Sequence, residues 1–440
     1  MSTPAAPTAS TVLTTPAVPS QAVPKTKPTV NPVPEPRSVA ETGLRKPFLE
    51  GLALKSLYLH GPFSLFELSR QLKLCLEVIE QLVERLRAEQ LCSVTGMQGN
   101  VPNIAITSQG KTRALELLML NQYAGAAPIS MEKYKEMVRL QTVRNVEVHA
   151  ADVERAFADM VLDTKILWQL GTALNSGSSV FLYGPTGTGK TTVAETLSSV
   201  LGQDYVWIPY AVEVEGQIVA VFDPLIHKRA EKAPFGDERW VLCRRPAVMA
   251  GGELTLEMLD MQFSPVSKYY TAPLQMKANN GLLIIDDFGR QRVQPEAFLN
   301  RWVVPLDRRI DFLTLSGGHT IEVPFEVMVV FSTNKNPSEI LEDAFLRRVQ
   351  TKIKIDAVSD EQFCEIFRRV AANFGLQSDN AMIKELAGTI RTEIKEPLRP
   401  CYARDLMNQI SWAAKFEGKA PSLDREAIRR AVEAYFLAPA

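Results

Sequence analysis

The sequence predicts an α/β protein: a parallel sheet carrying a phosphate-binding loop, preceded by a small helical domain with a two-stranded hairpin and by a proline-rich tail. Three observations carry that expectation. A short apolar strand at 181–183 runs into a glycine-rich loop and then an apolar helix. A second apolar run, Leu282-Leu283-Ile284-Ile285, ends in two aspartates. The chain of 440 residues is 46% apolar, yet its first forty residues hold nine of the 28 prolines and no aromatic side chain. The length suits about two to four domains, and the apolar share supports real cores.

Charge and cysteine usage narrow the function classes. Forty-nine basic residues face 50 acidic ones, a net charge of −1, so no global positive field attracts nucleic acid or anionic lipid. The longest apolar runs, such as 327–331, fall far short of the roughly 20 residues that span a bilayer. A soluble, cytoplasmic protein is expected. Cys75, Cys92, Cys243, Cys364 and Cys401 are scattered without a paired spacing, which argues for free thiols rather than a disulfide framework or a zinc site.

Along the chain, residues 1–46 read as a disordered tail, because so few apolar side chains cannot offset chain entropy. Residues 47–122 turn periodic. A helix carries Leu52, Leu54 and Leu57, Gly61-Pro62 breaks it, and Ser64 with Glu67 has the spacing of a capping box for the next helix. A third helix follows with Leu76, Ile79, Leu82, Val83 and Leu86. Two strand-like pieces, 91–95 and 103–107, and another helix from Ser108 complete a pattern resembling a winged helix-turn-helix domain. DNA reading by the third helix requires a basic surface, but 47–120 holds seven basic and seven acidic residues, and Glu77, Glu80, Glu84 and Glu89 outnumber Arg85 and Arg87 on that helix. Protein docking therefore ranks above DNA binding. A linker, 123–144, follows.

Gly184-Pro185-Thr186-Gly187-Thr188-Gly189-Lys190-Thr191-Thr192 is the phosphate loop. Its glycines let backbone N–H groups curl around an anion at the positive end of the following helix. Lys190 adds charge at the β and γ phosphates of ATP, and the Thr191 hydroxyl is a ligand for magnesium. Asp286, at the end of the second strand, is the metal-side carboxylate, and Asp287 would polarise the attacking water. A third strand, 327–331, leads to Asn334, whose neutral amide would position that water.

These residues, in this order, resemble the AAA+ ATPases over about two thirds of the chain. The resemblance implies an arginine finger at Arg347 or Arg348 in Asp343-Ala344-Phe345-Leu346-Arg347-Arg348, supplied to a neighbouring subunit's site. It also implies a lid arginine, Arg404 in Ala403-Arg404-Asp405-Leu406. The lid is expected to be helical, 356–440, behind an ATPase core at 145–355. Lys277-Ala278-Asn279-Asn280-Gly281, Phe288-Gly289-Arg290 and the hairpin-like 310–323, folded at Gly317-Gly318, look like the MoxR-like, helix-2-insert branch. Two departures stand out. Asp287 occupies a position where the family has glutamate, and no aromatic pore loop follows the expected second strand, 205–209. The stretch 210–281 is expected to hold the insertion, with Glu253, Leu254, Leu256, Met258 and Leu259 on a helix. Together these imply a ring-forming homo-oligomer, six subunits being one open size, that hydrolyses ATP with Mg2+ and remodels a protein partner. A DNA-associated ATPase and an ATP-gated scaffold with little turnover are the alternatives.

Overall fold

The computed structural model describes residues 31–436 apart from Asn100 and Gln203. Of the expected tail, 1–30 therefore lies outside the described residues, and 31–37 form no helix or strand. The helices Lys46–His60, Leu65–Leu72 and Leu76–Ala88 then pack with an antiparallel sheet in which Val101–Ile106 lies between Phe63–Ser64 and Cys92–Gln98. The helix Ser108–Leu120 closes this unit. Ser64 and Glu67 form the expected capping box, with Glu67 N–H donating to Ser64 Oγ at 3.3 Å and Ser64 N–H to Glu67 Oε2 at 2.8 Å. Leu49, Leu52, Leu57, Leu68, Leu72, Val78, Ile79 and Leu82 share one core, each worth roughly 2 kcal/mol of transfer free energy.

The central sheet is parallel throughout, in the order Ala247–Ala250, Leu282–Ile285, Met328–Thr333, Val180–Tyr183, Thr351–Lys354. Helices and loops cover both faces, so these strands are nearly uniformly buried instead of alternating with polar residues. One face packs Leu182, Ile284 and Val330 beneath the helices Thr164–Ser176 and Lys190–Leu201. The other packs Phe181, Ile285, Phe331, Phe298 and Trp302. Because the strands run the same way, Gly184, Asp286 and Asn334 all emerge at one carboxyl edge, where α/β sheets bind ligands. This is the expected α/β architecture: a parallel sheet with a glycine-rich loop at its carboxyl edge and, C-terminal to it, a helical unit, the lid. In the lid, Asp360–Asn373, Asn380–Thr392, Pro400–Phe416 and Arg425–Tyr435 surround Phe363, Phe367, Leu386, Leu406 and Met407.

Three local expectations change. The run expected as the second core strand, Tyr205–Pro209, lies outside the central sheet and pairs antiparallel with Trp240–Arg244. The strand beside Leu282–Ile285 is instead Ala247–Ala250, whose small residues give a weaker strand signal than the aromatic Tyr205–Pro209. The helix expected around Glu253 to Leu259 is only a 3-10 turn, Leu256–Leu259. Gly251 and Gly252 precede it, and the Glu253 carboxylate accepts from Gly251 N–H at 2.9 Å instead of facing outward from a helix. Segment 123–144, read as a linker, contains the strand Ile129–Ser130 and the helix Met131–Leu140. That strand joins a second sheet, ordered Gln262–Phe263, Tyr270–Thr271, Gln217–Ala220, Ala211–Val214, Ile129–Ser130. The hairpin Ile310–Thr314 with Thr320–Pro324 forms where expected, with Gly318 at φ 82° in its turn. No helix among the described residues is long and apolar enough to cross a membrane.

Candidate nucleotide-binding site

The loop 184–189 owes its curl to three glycines in the left-handed region: Gly184 at φ 141°, Gly187 at 80° and Gly189 at 93°. A Cβ at Gly184 would overlap the Ile355 carbonyl, so glycine is required there for space as well as for torsion. Gly189 is the N-cap of the helix Lys190–Leu201, whose first backbone N–H groups lack intrahelical partners and attract an anion.

The functional side chains gather around this loop. Lys190 is only 8% exposed, and its ammonium donates to the Pro185 carbonyl at 2.7 Å. Burial holds its pKa below the ordinary lysine range, opposed by the charges of Asp287 and Asp286. Thr191 Oγ1 donates to Asp286 at 2.9 Å and 3.2 Å from the two carboxylate oxygens. Thr188 Oγ1 braces the loop on Pro185 O at 2.9 Å. Asn334 Nδ2 reaches Thr186 Oγ1 at 3.3 Å, bringing the end of the third strand onto the loop. Thr192 is exposed, and its carbonyl accepts from Thr196 Oγ1 within the helix.

Asp287 adopts φ 49°, a left-handed torsion uncommon for a residue with a Cβ. The turn that follows is fixed by Phe288 N–H on Ser332 O at 2.7 Å and by Arg290 N–H on Asp287 O at 3.0 Å. Gln291, which sequence reasoning did not single out, clamps it further. Its Nε2 donates to Asp286 O at 2.7 Å while its Oε1 accepts from Gly289 N–H at 2.8 Å. Thr333 Oγ1 donates to Phe288 O at 2.8 Å, tying the second and third strand ends together.

The arginines separate. Arg348 Nε is engaged with Asp307 at 2.9 Å within its own chain, whereas Arg347 is exposed. Arg404 is 72% exposed beside Asp405 at 3.7 Å. The lid residues that touch the loop are Arg399 and Cys401. Cys401 N–H donates to Gly187 O at 3.3 Å, and the space a Gly187 Cβ would need is taken by Cys401 Sγ at 2.5 Å and Arg399 Cδ at 3.5 Å. Arg399 also pairs with Glu396 at 2.7 Å, while its buried Nε has no partner among the described residues. Pro400 at the first position of the helix Pro400–Phe416 marks a helix start, but no local signal ties that start to the loop.

The donor set fits a hard cation held jointly with phosphate: one carboxylate, Asp286, and one hydroxyl, Thr191, in direct contact. Among the described residues no group of three or more His, Cys, Asp or Glu could hold a metal by itself. That pattern suits magnesium, which takes few protein ligands and relies on substrate oxygens.

A domain of unknown function, DUF8689, matches residues 359–434, the helical C-terminal unit. No curated protein matches the chain. Among solved structures, the RuvB Holliday junction branch migration motor of Thermotoga maritima is 16% identical, covering 62% of this chain and 70% of that one, with a TM-score of 0.37. Two single-residue variants of the same T. maritima protein are 14% and 15% identical. They cover 67% and 62% of this chain and 72% and 70% of theirs, with TM-scores of 0.37 and 0.39. A likeness this slight carries no argument about chemistry or partner.

Proposed function

We propose that the chain binds and hydrolyses ATP with Mg2+, as a ring-forming ATPase that remodels a protein partner engaged through its N-terminal unit. One observation carries the chemical part: Lys190, Thr191, Asp286 and Asn334 converge on a loop whose three glycines hold left-handed torsions. Thr191 and Asp286 would hold the magnesium, which when bound draws charge from the β and γ phosphates. Lys190 would exchange its Pro185 carbonyl for phosphate oxygen. Asn334 would orient the water, and Asp287, held at the mouth of the site by its left-handed turn, would accept the water's proton.

Arg347 is the finger in this reading, because Arg348 is engaged by Asp307 whereas Arg347 has no side-chain partner among the described residues. A guanidinium aimed at a neighbour's phosphate stabilises transition-state charge only when copies dock. For the lid arginine, contact with the loop favours Arg399 over the exposed Arg404. The partner reading rests on the third helix of the N-terminal unit, where the exposed Glu77, Glu80 and Glu84, with Glu89 at the C-cap, outnumber the exposed Arg85 and Arg87. A surface with that charge repels phosphates.

Phosphate release by assembled protein tests the proposal. Asp287→Asn is expected to cut turnover by at least about 100-fold, the scale of losing a positioned base, with ATP still bound. Equal release by the two proteins would leave an ATP-gated scaffold. Retention on DNA that falls with rising salt would replace the protein partner by DNA. In mixed assemblies, Lys190→Ala and Arg347→Ala subunits should partly rescue each other, since each supplies what the other lacks.

A further inference from the structure

Residues 31–36, Asn-Pro-Val-Pro-Glu-Pro, lie across the junction between the N-terminal unit and the insertion that precedes Ala247–Ala250. Trp207 Nε1 donates to Asn31 O at 3.0 Å, Asp237 N–H to Val33 O at 2.9 Å, and Cys75 Sγ to Pro36 O at 2.9 Å. Val33 packs against the cluster of Ile129, Trp207, Trp240 and Leu242, in which both tryptophans are only 5% exposed. Pro36 is buried, while Asn31, Pro32 and Pro34 face solvent. Gly236 completes the slot, because a Cβ there would overlap the Val33 carbonyl.

The chemistry of this contact is that of extended-peptide recognition. Prolines at 32, 34 and 36 fix their own φ and push the residue before each one towards extended backbone, so little conformational freedom is lost on docking. The chain offers its carbonyls to donors in the slot and one apolar side chain to an aromatic wall, the mode by which proline-rich segments are commonly read. The grip is narrow. Only Val33 and Pro36 bring apolar side chains into packing, and the Glu35 carboxyl is raised by burial and by the nearby charges of Glu238, Glu77 and Asp237. A contact with so few partners sits at the low-stability end of a fold. The Val-Pro pair that fills the slot also occurs twice more in the first forty residues, as Val18-Pro19 and Val23-Pro24.

We propose that the Trp207/Trp240 face is a binding slot for extended Val-Pro peptides, filled in this conformation by the chain's own Val33-Pro34, and that the tail of a second copy, through Val18-Pro19 or Val23-Pro24, is its partner in trans. Exchange would release the strap that joins the N-terminal unit to the ATPase, and tie one copy to the next.

The test uses the full-length chain. Val33→Asp places a carboxylate against the tryptophan wall and vacates the slot in cis. Synthetic peptides of residues 29–36 and of 14–26 are then titrated against this variant and against the wild type, with tryptophan fluorescence and calorimetry as readouts. Both peptides should bind Val33→Asp once per chain and at least tenfold more tightly than they bind the wild type, whose own strap competes. Adding Gly236→Val should abolish binding. In an otherwise wild-type chain, Gly236→Val or excess peptide should speed tryptic cleavage after Arg37 at least tenfold, which covers the case in which Val33→Asp leaves the strap docked. Neither binding nor faster cleavage would overturn the slot. Binding by 29–36 alone would overturn the trans partner, and equal affinity for both chains with no effect of Gly236→Val would place the peptide elsewhere.

Discussion

At the scale of single residues, Asp287 and Lys55 each cost stability where they stand, for different reasons. Asp287 holds φ 49° at the strand end, where a side chain costs of order 1 kcal/mol relative to glycine. Asp287→Gly is therefore expected to raise stability by about 0.5–1 kcal/mol in denaturant unfolding while phosphate release is lost. A fall in stability would show that the carboxylate makes a structural contact. Lys55 is a different case, only 4% exposed and held by the carbonyl and side chain of Asn121 at 3.3 and 2.5 Å. Burial lowers its pKa from 10.5 to about 8. Between those values the unfolded chain binds more protons than the folded one, so this group makes stability rise with pH, at most by about 1.4 kcal/mol per pH unit. Lys55→Met should remove that rise between pH 8 and 10.5 and stabilise the protein at pH 7 by about 1–3 kcal/mol. Parallel pH profiles for wild type and variant would refute this.

At the scale of elements, what was legible in the sequence follows from how local each signal is. The capping box at Ser64 and Glu67 is written within four residues, and Ser64→Ala is expected to cost about 1 kcal/mol in chemical unfolding. The phosphate loop is equally local, since glycine spacing and flanking apolar runs specify both torsion and burial. The second core strand was misplaced because Tyr205–Pro209 has the stronger aromatic and β-branched signal. Strand membership depends on a partner far away, and the buried Arg245, donating to Gln141 O and Asn280 O at 2.7 Å, is among the ties that place Ala247–Ala250 beside Leu282–Ile285. The lid contact was illegible for the same reason. Nothing in the sequence around Cys401 announces that Gly187, 214 positions earlier, leaves no room for a Cβ beside it. Gly187→Ala is accordingly expected to push the lid off the loop and weaken nucleotide binding at least tenfold, measured by titration with a fluorescent ATP analogue. Unchanged affinity would separate lid position from binding.

At the scale of the whole molecule, the units are joined by a buried charge. The Arg239 side chain is fully buried, its guanidinium bonded to Asp237 at 2.8 Å, to Thr42 O at 3.2 Å and to Pro128 O at 3.2 Å. One side chain thus ties the segment entering the N-terminal unit, the segment leaving it and the stretch that precedes Ala247–Ala250. A buried ion pair is a poor source of net stability, but removing one partner strands the other in a medium that cannot solvate it. Asp237→Ala should consequently cost about 3–5 kcal/mol, whereas Asp237→Ala with Arg239→Met, which removes both charges, should recover most of that loss. If the joint also carries mechanical coupling, the double variant will be stable and yet disconnected. Hydrogen exchange would then rise at 37–45 and 124–130 but not in the central sheet, and ATP turnover would no longer respond to a protein bound at the N-terminal unit. A double variant as unstable as Asp237→Ala alone would mean that the carbonyl contacts of Arg239, rather than its charge, hold the units together.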